Sequence, residues 1–257
     1  MLEPLLNESL KRKPILLMTH IVIGYPDLDT SLRLVEAMVE AGVDLMELQI
    51  PFSEPMADGP VIVRANQHAL ERGATVERCF AMAEHVTRRF DIPFLFMTYL
   101  NVLYRRGFES FATRAREAGV KGVIIPDLPP QEAEPCVNAL ARNELDPVFI
   151  FSPYSSETRM REIAEQARGF VYCVARKGVT GAKTQFSTEL TQYLERARRT
   201  TSLPLAVGFG IRSPQDVAFL VGKADIAVVG SETLRVLDRD GINGVQRFVG
   251  SLRSSCT

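Results

Sequence analysis

Several things are scarce in this sequence, and each scarcity removes a class of function. There are only three histidines, His20, His68 and His85, dispersed along 257 residues. They are too few and too scattered for a metal site, which draws several ligands from short fixed spacings. The four cysteines, Cys79, Cys136, Cys173 and Cys256, include no CxxC pair. They read as reduced, mostly buried small hydrophobes in a cytoplasmic protein. Neither sign of charge is in excess: 30 Lys plus Arg against 31 Asp plus Glu leave a net charge of −1. Nothing therefore points to nucleic acid or to a membrane surface. Residues 1–13 carry charges and no long apolar run, so they read as neither a signal peptide nor a membrane span. A dinucleotide-type GxGxxG after the first apolar run is also missing, its place taken by Gly24-Tyr25-Pro26.

What the sequence does have is alternation. Residues 4–12 form a short amphipathic helix, expected as a lid on one barrel end, and 15–23 are near-continuously apolar, as in a strand covered on both faces. Asp29 or Thr30 is expected to cap a helix over 31–41, with Leu32, Val35, Met38 and Val39 at helical spacing and Gly42 closing it. Strands follow at 45–50, 94–97, 122–125, 147–151, 169–175, 203–207 and 226–229. Helices separate them at 61–71, 76–89, 108–118, 131–143, 157–167 and 188–200, with a further one opened by Ser213-Pro214-Gln215-Asp216 and a last helical stretch to 252. Strict β/α alternation with no linker argues a parallel sheet with helices outside. Eight such units in about 250 residues predict one closed (β/α)8 barrel domain, with an extra N-terminal helix.

In such a barrel the chemistry belongs at the carboxyl ends of the strands. The stretch 47–60, ELQIPFSEPMADGP, exits the second strand there. It carries Glu47 inside the strand, where a charge is rarely placed, and Asp58 in the following loop beside Gly59. A buried carboxylate with a raised pKa next to a more solvated, ionised one provides two proton-transfer groups with different tasks. Two acids alone favour the plainer reading, a strand-end Glu bonded to backbone and an Asp capping a turn. Past the last strands, Gly208-Phe209-Gly210 and Gly230-Ser231 suit a phosphate cradle: glycines admit backbone N–H groups to an anion, and a helix start adds its dipole. Residues 176–185, with few apolar anchors, read as a loop able to close over substrate.

The string GVDLMELQIPFSEPMADGPVI resembles the signature of the tryptophan synthase alpha subunit family, whose usual form is close to ELGIPFSDPxADGP. KGVTG, GFGI, VGS, Tyr99-Leu100-Asn101 and Pro126-Asp127-Leu128-Pro129 match later family motifs in order and spacing, so the resemblance covers essentially the whole chain. It implies an α/β TIM barrel and a retro-aldol lyase that releases indole and glyceraldehyde 3-phosphate from indole-3-glycerol phosphate. It implies no metal or organic cofactor in this chain; pyridoxal phosphate is expected only in a separate beta subunit that takes the indole through a channel, in an alpha2-beta2 type heterotetramer. By the same resemblance Glu47 is the general acid/base, and Asp58 bonds the indole N–H and stabilises positive charge on the ring. Tyr172 is a substrate-site tyrosine near Glu47, and Thr180 is the loop residue that meets the aspartate on closure. Gly181, Gly210, Gly230 and Ser231 hold phosphate, while Phe209, Met97, Ile124 and Val228 line the indole pocket. Glu54, Pro55, Met56 and Asn101 lie near the beta contact.

Three positions depart from the family form. Gln49 stands where the family has Gly, His20 where it has an apolar aromatic, and Glu54 where it has Asp. Gln49 shares the face of Glu47, since residues two apart on a strand point the same way. Gln49 and His20 are expected to face the barrel interior, to bond each other or Glu47, and to narrow the substrate pocket. Retention of Glu47 and Asp58 favours an enzyme. The departures leave open a paralogue acting on a modified indole-glycerol phosphate and a mainly regulatory subunit that activates a beta partner.

Overall fold

The computed structural model describes residues 1–174, 188–208, 210–254 and 256. Eight strands run in parallel and close on themselves: β1 (Leu16–Val22), β2 (Leu45–Gln49), β3 (Phe94–Met97), β4 (Gly122–Ile124), β5 (Asp146–Phe151), β6 (Val171–Val174), β7 (Leu205–Gly208) and β8 (Ile226–Val229), with β8 pairing back to β1. The helices are α1 (Leu2–Leu10), α2 (Leu28–Glu40), α3 (Pro60–Glu71), α4 (Val76–Arg89), α5 (Leu100–Arg106), α6 (Phe108–Glu117), α7 (Glu134–Arg142), α8 (Glu157–Gln166), α9 (Thr188–Thr200), α10 (Pro214–Leu220) and α11 (Ser231–Arg253). The last is broken at Gly241, whose φ of 67° leaves the helical region. Among the described residues no helix is long and apolar enough to cross a membrane.

Every residue of β1, β2 and β3 is buried because one face meets the helices and the other fills the barrel. The lower barrel is apolar, filled by Leu16, Met18, Leu45, Leu95, Val148, Ala206 and Ile226. Helix α1 closes its amino-terminal end. Leu2 and Leu6 are buried on Phe170 and the barrel interior, and the Leu2 amide donates to the Asp146 carboxylate. Nine residues are too short to hold a helix alone; two buried leucines, each contributing about 1.5–3 kcal/mol, dock it. Gly122 leaves room for this floor, since a Cβ there would stand 3.0 Å from Leu2 and 2.6 Å from the Asp146 carbonyl. With the bottom plugged, the working cavity opens at the carboxyl ends of the strands.

Three local expectations need correction. Asp27, not Asp29 or Thr30, caps α2: its backbone is extended and its carboxylate accepts from the Thr30 amide at 2.7 Å. Asp29 sits in the first turn and pairs with Arg33 instead. Helix α7 starts at Glu134, after a 3-10 turn at Pro130–Glu132, with Pro135 in its opening turn, where a missing N–H costs nothing. Helix α5 was not expected at all. Its first amide, Leu100, donates to Asp127 at 2.8 Å, so its cap comes from the β4 exit rather than from its own segment.

Candidate active site

The strand register brings the polar residues of the cavity together. His20 on β1 is aligned with Glu47 on β2, and Val22 with Gln49. Both Glu47 and Gln49 project inward from β2, above Leu45 on the same face. Glu47 is 4% exposed. Burial, and then the charge of Asp58, push its carboxyl from 4.5 up to about 8, while a hydrogen bond from the Tyr172 hydroxyl draws it part of the way back. Near neutral pH this acid therefore keeps its proton. Tyr172 has room to reach it because Gly208, two residues beyond its register partner Ala206 on β7, has no side chain; a Cβ there would come within 2.7 Å of the tyrosine ring.

Asp58 lies in the loop before α3, in a turn closed by its own amide to the Pro55 carbonyl at 3.0 Å. Gly59 and Pro60 then start the helix. Burial raises the Asp58 carboxyl too, but hydrogen bonds from Gln49 and Tyr99 oppose the rise. Gln49 Nε2 donates to Asp58 Oδ2 at 2.7 Å and the Tyr99 hydroxyl donates to the same oxygen at 3.0 Å. The described hydrogen bonds thus end on Oδ2, and Oδ1 is the oxygen left for a ligand. Tyr99 is itself set by the Ala57 amide at 3.1 Å and by stacking on Phe52.

Gln49 is the hub of this network. Its carbonyl meets His20 Nε2 at 2.7 Å while its amide serves Asp58 and, at 3.5 Å, Asn66. Reversing the amide would set its oxygen against a carboxylate, so this orientation is the satisfied one. It follows that His20 carries hydrogen on Nε2. The expected His20–Gln49 pair is present, but its further link runs to Asp58 rather than to Glu47. Gln49 is fully buried and is not among the residues that line the cavity, whereas its partner His20 is. A double-mutant cycle on stability should find His20→Phe and Gln49→Gly coupled by about 1 kcal/mol or more, because either change alone strands a buried polar partner. Simple additivity in thermal unfolding would count against the pair.

The cavity is lined by Glu47, Asp58, Tyr172 and His20, by the apolar Met97, Ile124 and Val228, and by Gly210, Gly230 and Ser231. Gly230 precedes the first residue of α11 and Gly210 adopts a left-handed φ of 67°. Thr180, Gly181, Phe209 and the expected closing loop at 176–185 lie outside the described residues. The sequence reading missed Tyr99 and Asn66 as supports of Asp58 and Gln49. The motif Tyr99-Leu100-Asn101 flagged the tyrosine without its role, and nothing local marked Asn66. Among the described residues no cluster of three metal-ligating side chains exists.

A closed barrel with a protonated buried acid and a hydrogen-bonded carboxylate facing one cavity at its strand ends is an acid/base enzyme of the (β/α)8 class. Comparison with known proteins narrows the class. A family model described as tryptophan synthase alpha chain matches residues 6–253. Tryptophan synthase alpha chains from Desulforapulum autotrophicum and Syntrophotalea carbinolica are 59% and 58% identical, covering 98% of this chain and 100% of theirs. Among solved structures, a tryptophan synthase from Mycobacterium tuberculosis superposes with a TM-score of 0.91 at 32% identity, over 99% of this chain and 97% of that one. The tryptophan synthase alpha subunit of Legionella pneumophila gives 0.89 at 31% identity, over 98% and 97%. The chain belongs to the tryptophan synthase alpha chain family. It is a carbon–carbon lyase of tryptophan biosynthesis, cleaving indole-3-glycerol phosphate.

Proposed function

We propose that this chain, as one (β/α)8 domain, performs the cleavage with Glu47 as the proton shuttle and Asp58 as the stabiliser of the ring. The observation that carries the reading is that Glu47 is held protonated to about 8 while facing the same cavity as a hydrogen-bonded Asp58. Protonated Glu47 delivers its proton to indole C3, and the ring becomes cationic. Asp58, through Oδ1, accepts from the ring N–H and stabilises that charge. Glu47, now a carboxylate, takes the proton of the glycerol hydroxyl next to the breaking bond. The carbonyl forms, the carbon–carbon electron pair returns to the ring, and indole and glyceraldehyde 3-phosphate separate. Glu47 ends protonated, as it began, and side chains alone carry the proton traffic, so the reading assigns no metal or organic cofactor to this chain.

Met97, Ile124 and Val228 supply an apolar seat for indole, with Phe209 and Tyr172 completing it. Gly210, Gly230, Ser231 and Gly181 receive the phosphate, supported by the start of α11 at Ser231. Glycerol phosphate is expected to be found against Gly230 and Ser231 in a soaked crystal; density elsewhere would reject that cradle. Thr180 would meet Asp58 on closure of its loop. The reading includes a pyridoxal-phosphate beta subunit, in an alpha2-beta2 assembly in the cytoplasm. Glu54, Met56 and Asn101 are exposed for such a contact, Met56 at 78%, whereas Pro55 is buried. Indole release from indole-3-glycerol phosphate, measured with and without a beta subunit, tests the function; no indole in either condition would reject it.

A further inference from the structure

The imidazole of His20 has one nitrogen that the proposed proton shuttle does not use. Nε2 is bonded to Gln49, but Nδ1, in a side chain 3% exposed, has no hydrogen-bond partner. Leaving such an atom unpaired in the interior is costly unless a ligand completes it. Its position says which ligand. His20 lines the cavity, and Nδ1 stands 3.9 Å from where a Cβ on Gly230 would be, beside the first turn of the 23-residue α11. The ring is therefore aimed at the start of a long helix, where an anion is favoured.

The charges around this spot are lopsided. Glu47 stands in register with His20 across β1 and β2, Asp58 is joined to it through Gln49, the Tyr172 hydroxyl faces Glu47, and Glu232 follows Ser231 on α11. The charge of Glu232 is taken up by Arg235 at 2.8 Å and Arg212 at 3.6 Å. Among the described lining residues there is no lysine or arginine, so His20 is the one side chain there that can become positively charged. With Glu47 protonated and Glu232 paired, a phosphate dianion entering here still meets the Asp58 carboxylate and no lysine or arginine, and it gains from a positive charge beyond the helix dipole.

We propose that His20 contacts the substrate's phosphate end directly and takes up a proton from solvent on Nδ1 as the dianion binds. The inference rests on phosphate binding at Gly230 and Ser231. No covalent bond changes: imidazole plus a proton becomes imidazolium, whose Nδ1–H donates to a phosphate oxygen. The Gln49 bridge permits this, because Nε2–H donates to Gln49 Oε1 in both states and the ring need not turn. Burial holds the free imidazole below its ordinary range and the charge of Asp58 counteracts it, so the free site starts neutral and ready to gain a proton.

The test is 15N NMR of histidine-labelled, otherwise wild-type protein titrated with glycerol 3-phosphate near pH 7.5, with backbone amide signals of Gly230 and Ser231 followed together. Three histidines make assignment simple, by comparison with His20→Asn. Expected is a shift of the His20 Nδ1 resonance from the unprotonated to the protonated range at saturation. Calorimetry in two buffers of different ionisation enthalpy should show proton uptake by wild type. His20→Asn, which keeps an N–H donor at the Nδ1 position but cannot titrate, should bind without that uptake. His20→Phe should bind glycerol 3-phosphate about ten-fold or more weakly, as for loss of a charge-assisted bond. If the Gly230 and Ser231 amides respond while Nδ1 stays unprotonated, this inference fails and the cradle stands. If those amides do not respond, the cradle reading fails and this inference goes with it.

Discussion

Glu47→Gln is expected to reduce indole release on the order of 10³-fold or more, at the upper part of what general acid–base groups contribute. The amide fills the same space between His20 and Tyr172 but can neither give a proton to indole C3 nor take one from the glycerol hydroxyl. Because one group performs both transfers, no partial rescue by a second acid is built into the site. Steady-state assays should show the loss in kcat, with binding of glycerol 3-phosphate little changed. Substantial turnover by this variant would remove Glu47 from the acid/base role. The wild-type pH profile offers an independent check. The reaction begins from the protonated acid, whose carboxyl is raised to about 8. Turnover should therefore fall as pH rises through that value.

The same substitution should act on stability in the opposite sense. Between about 4.5 and about 8 the folded chain holds a proton on Glu47 that the unfolded chain releases. The native state binds more protons in that window, so stability falls as pH rises through it and levels off above. A glutamine has no proton to lose. Glu47→Gln should accordingly unfold at a higher temperature than wild type above pH 8, by an amount on the order of a few kcal/mol at most, and the gap should close toward pH 4.5. A gain in stability coupled to a loss of activity is what a group buried for catalysis predicts; equal unfolding temperatures across that range would argue that Glu47 is not held neutral.

Asp58→Asn is the second large effect, expected to lower kcat about 10²–10³-fold, the scale for removing one charge-stabilising contact from a transition state. Neither orientation of the new amide works. With its nitrogen in place of Oδ2, two donors, from Gln49 and Tyr99, face a third. With its oxygen there, the nitrogen occupies the Oδ1 position and turns a donor toward the indole N–H. The negative charge is lost either way. Since the ring is cationic only after protonation, the loss should fall on kcat more than on KM. A turnover number near that of wild type would refute the role.

How much of this was legible beforehand follows from where each piece of information resides. Eight strands and their helices could be read because burial on two faces imposes apolar runs and burial on one imposes helical spacing, and both are local. Strand β3 and helices α4 and α9 were read with their boundaries. Helix α5 was not, because its amino-terminal amide is satisfied by Asp127, 27 residues away. Helix α2 was displaced because Asp29 and Thr30, both able to cap, stand next to the first apolar-periodic residues, whereas only the extended backbone of Asp27 marks the cap that is used.

The site divides in the same way. Glu47 and Asp58 were named from one continuous string, and His20 and Gln49 stood out as departures from the residues usual in the family that the chain resembles. What those four do to one another was decided by the barrel. Parallel pairing sets His20 beside Glu47 and brings Gln49 within reach of both His20 and Asp58. Tyr99 is 41 residues from Asp58 in the chain, and their 3.0 Å contact exists because β3 follows β2 around the barrel. The sequence by itself determined which residue types are present and the period at which they recur. The tertiary structure decided their protonation, because burial and neighbouring charge depend on residues that are close in space and distant in the chain.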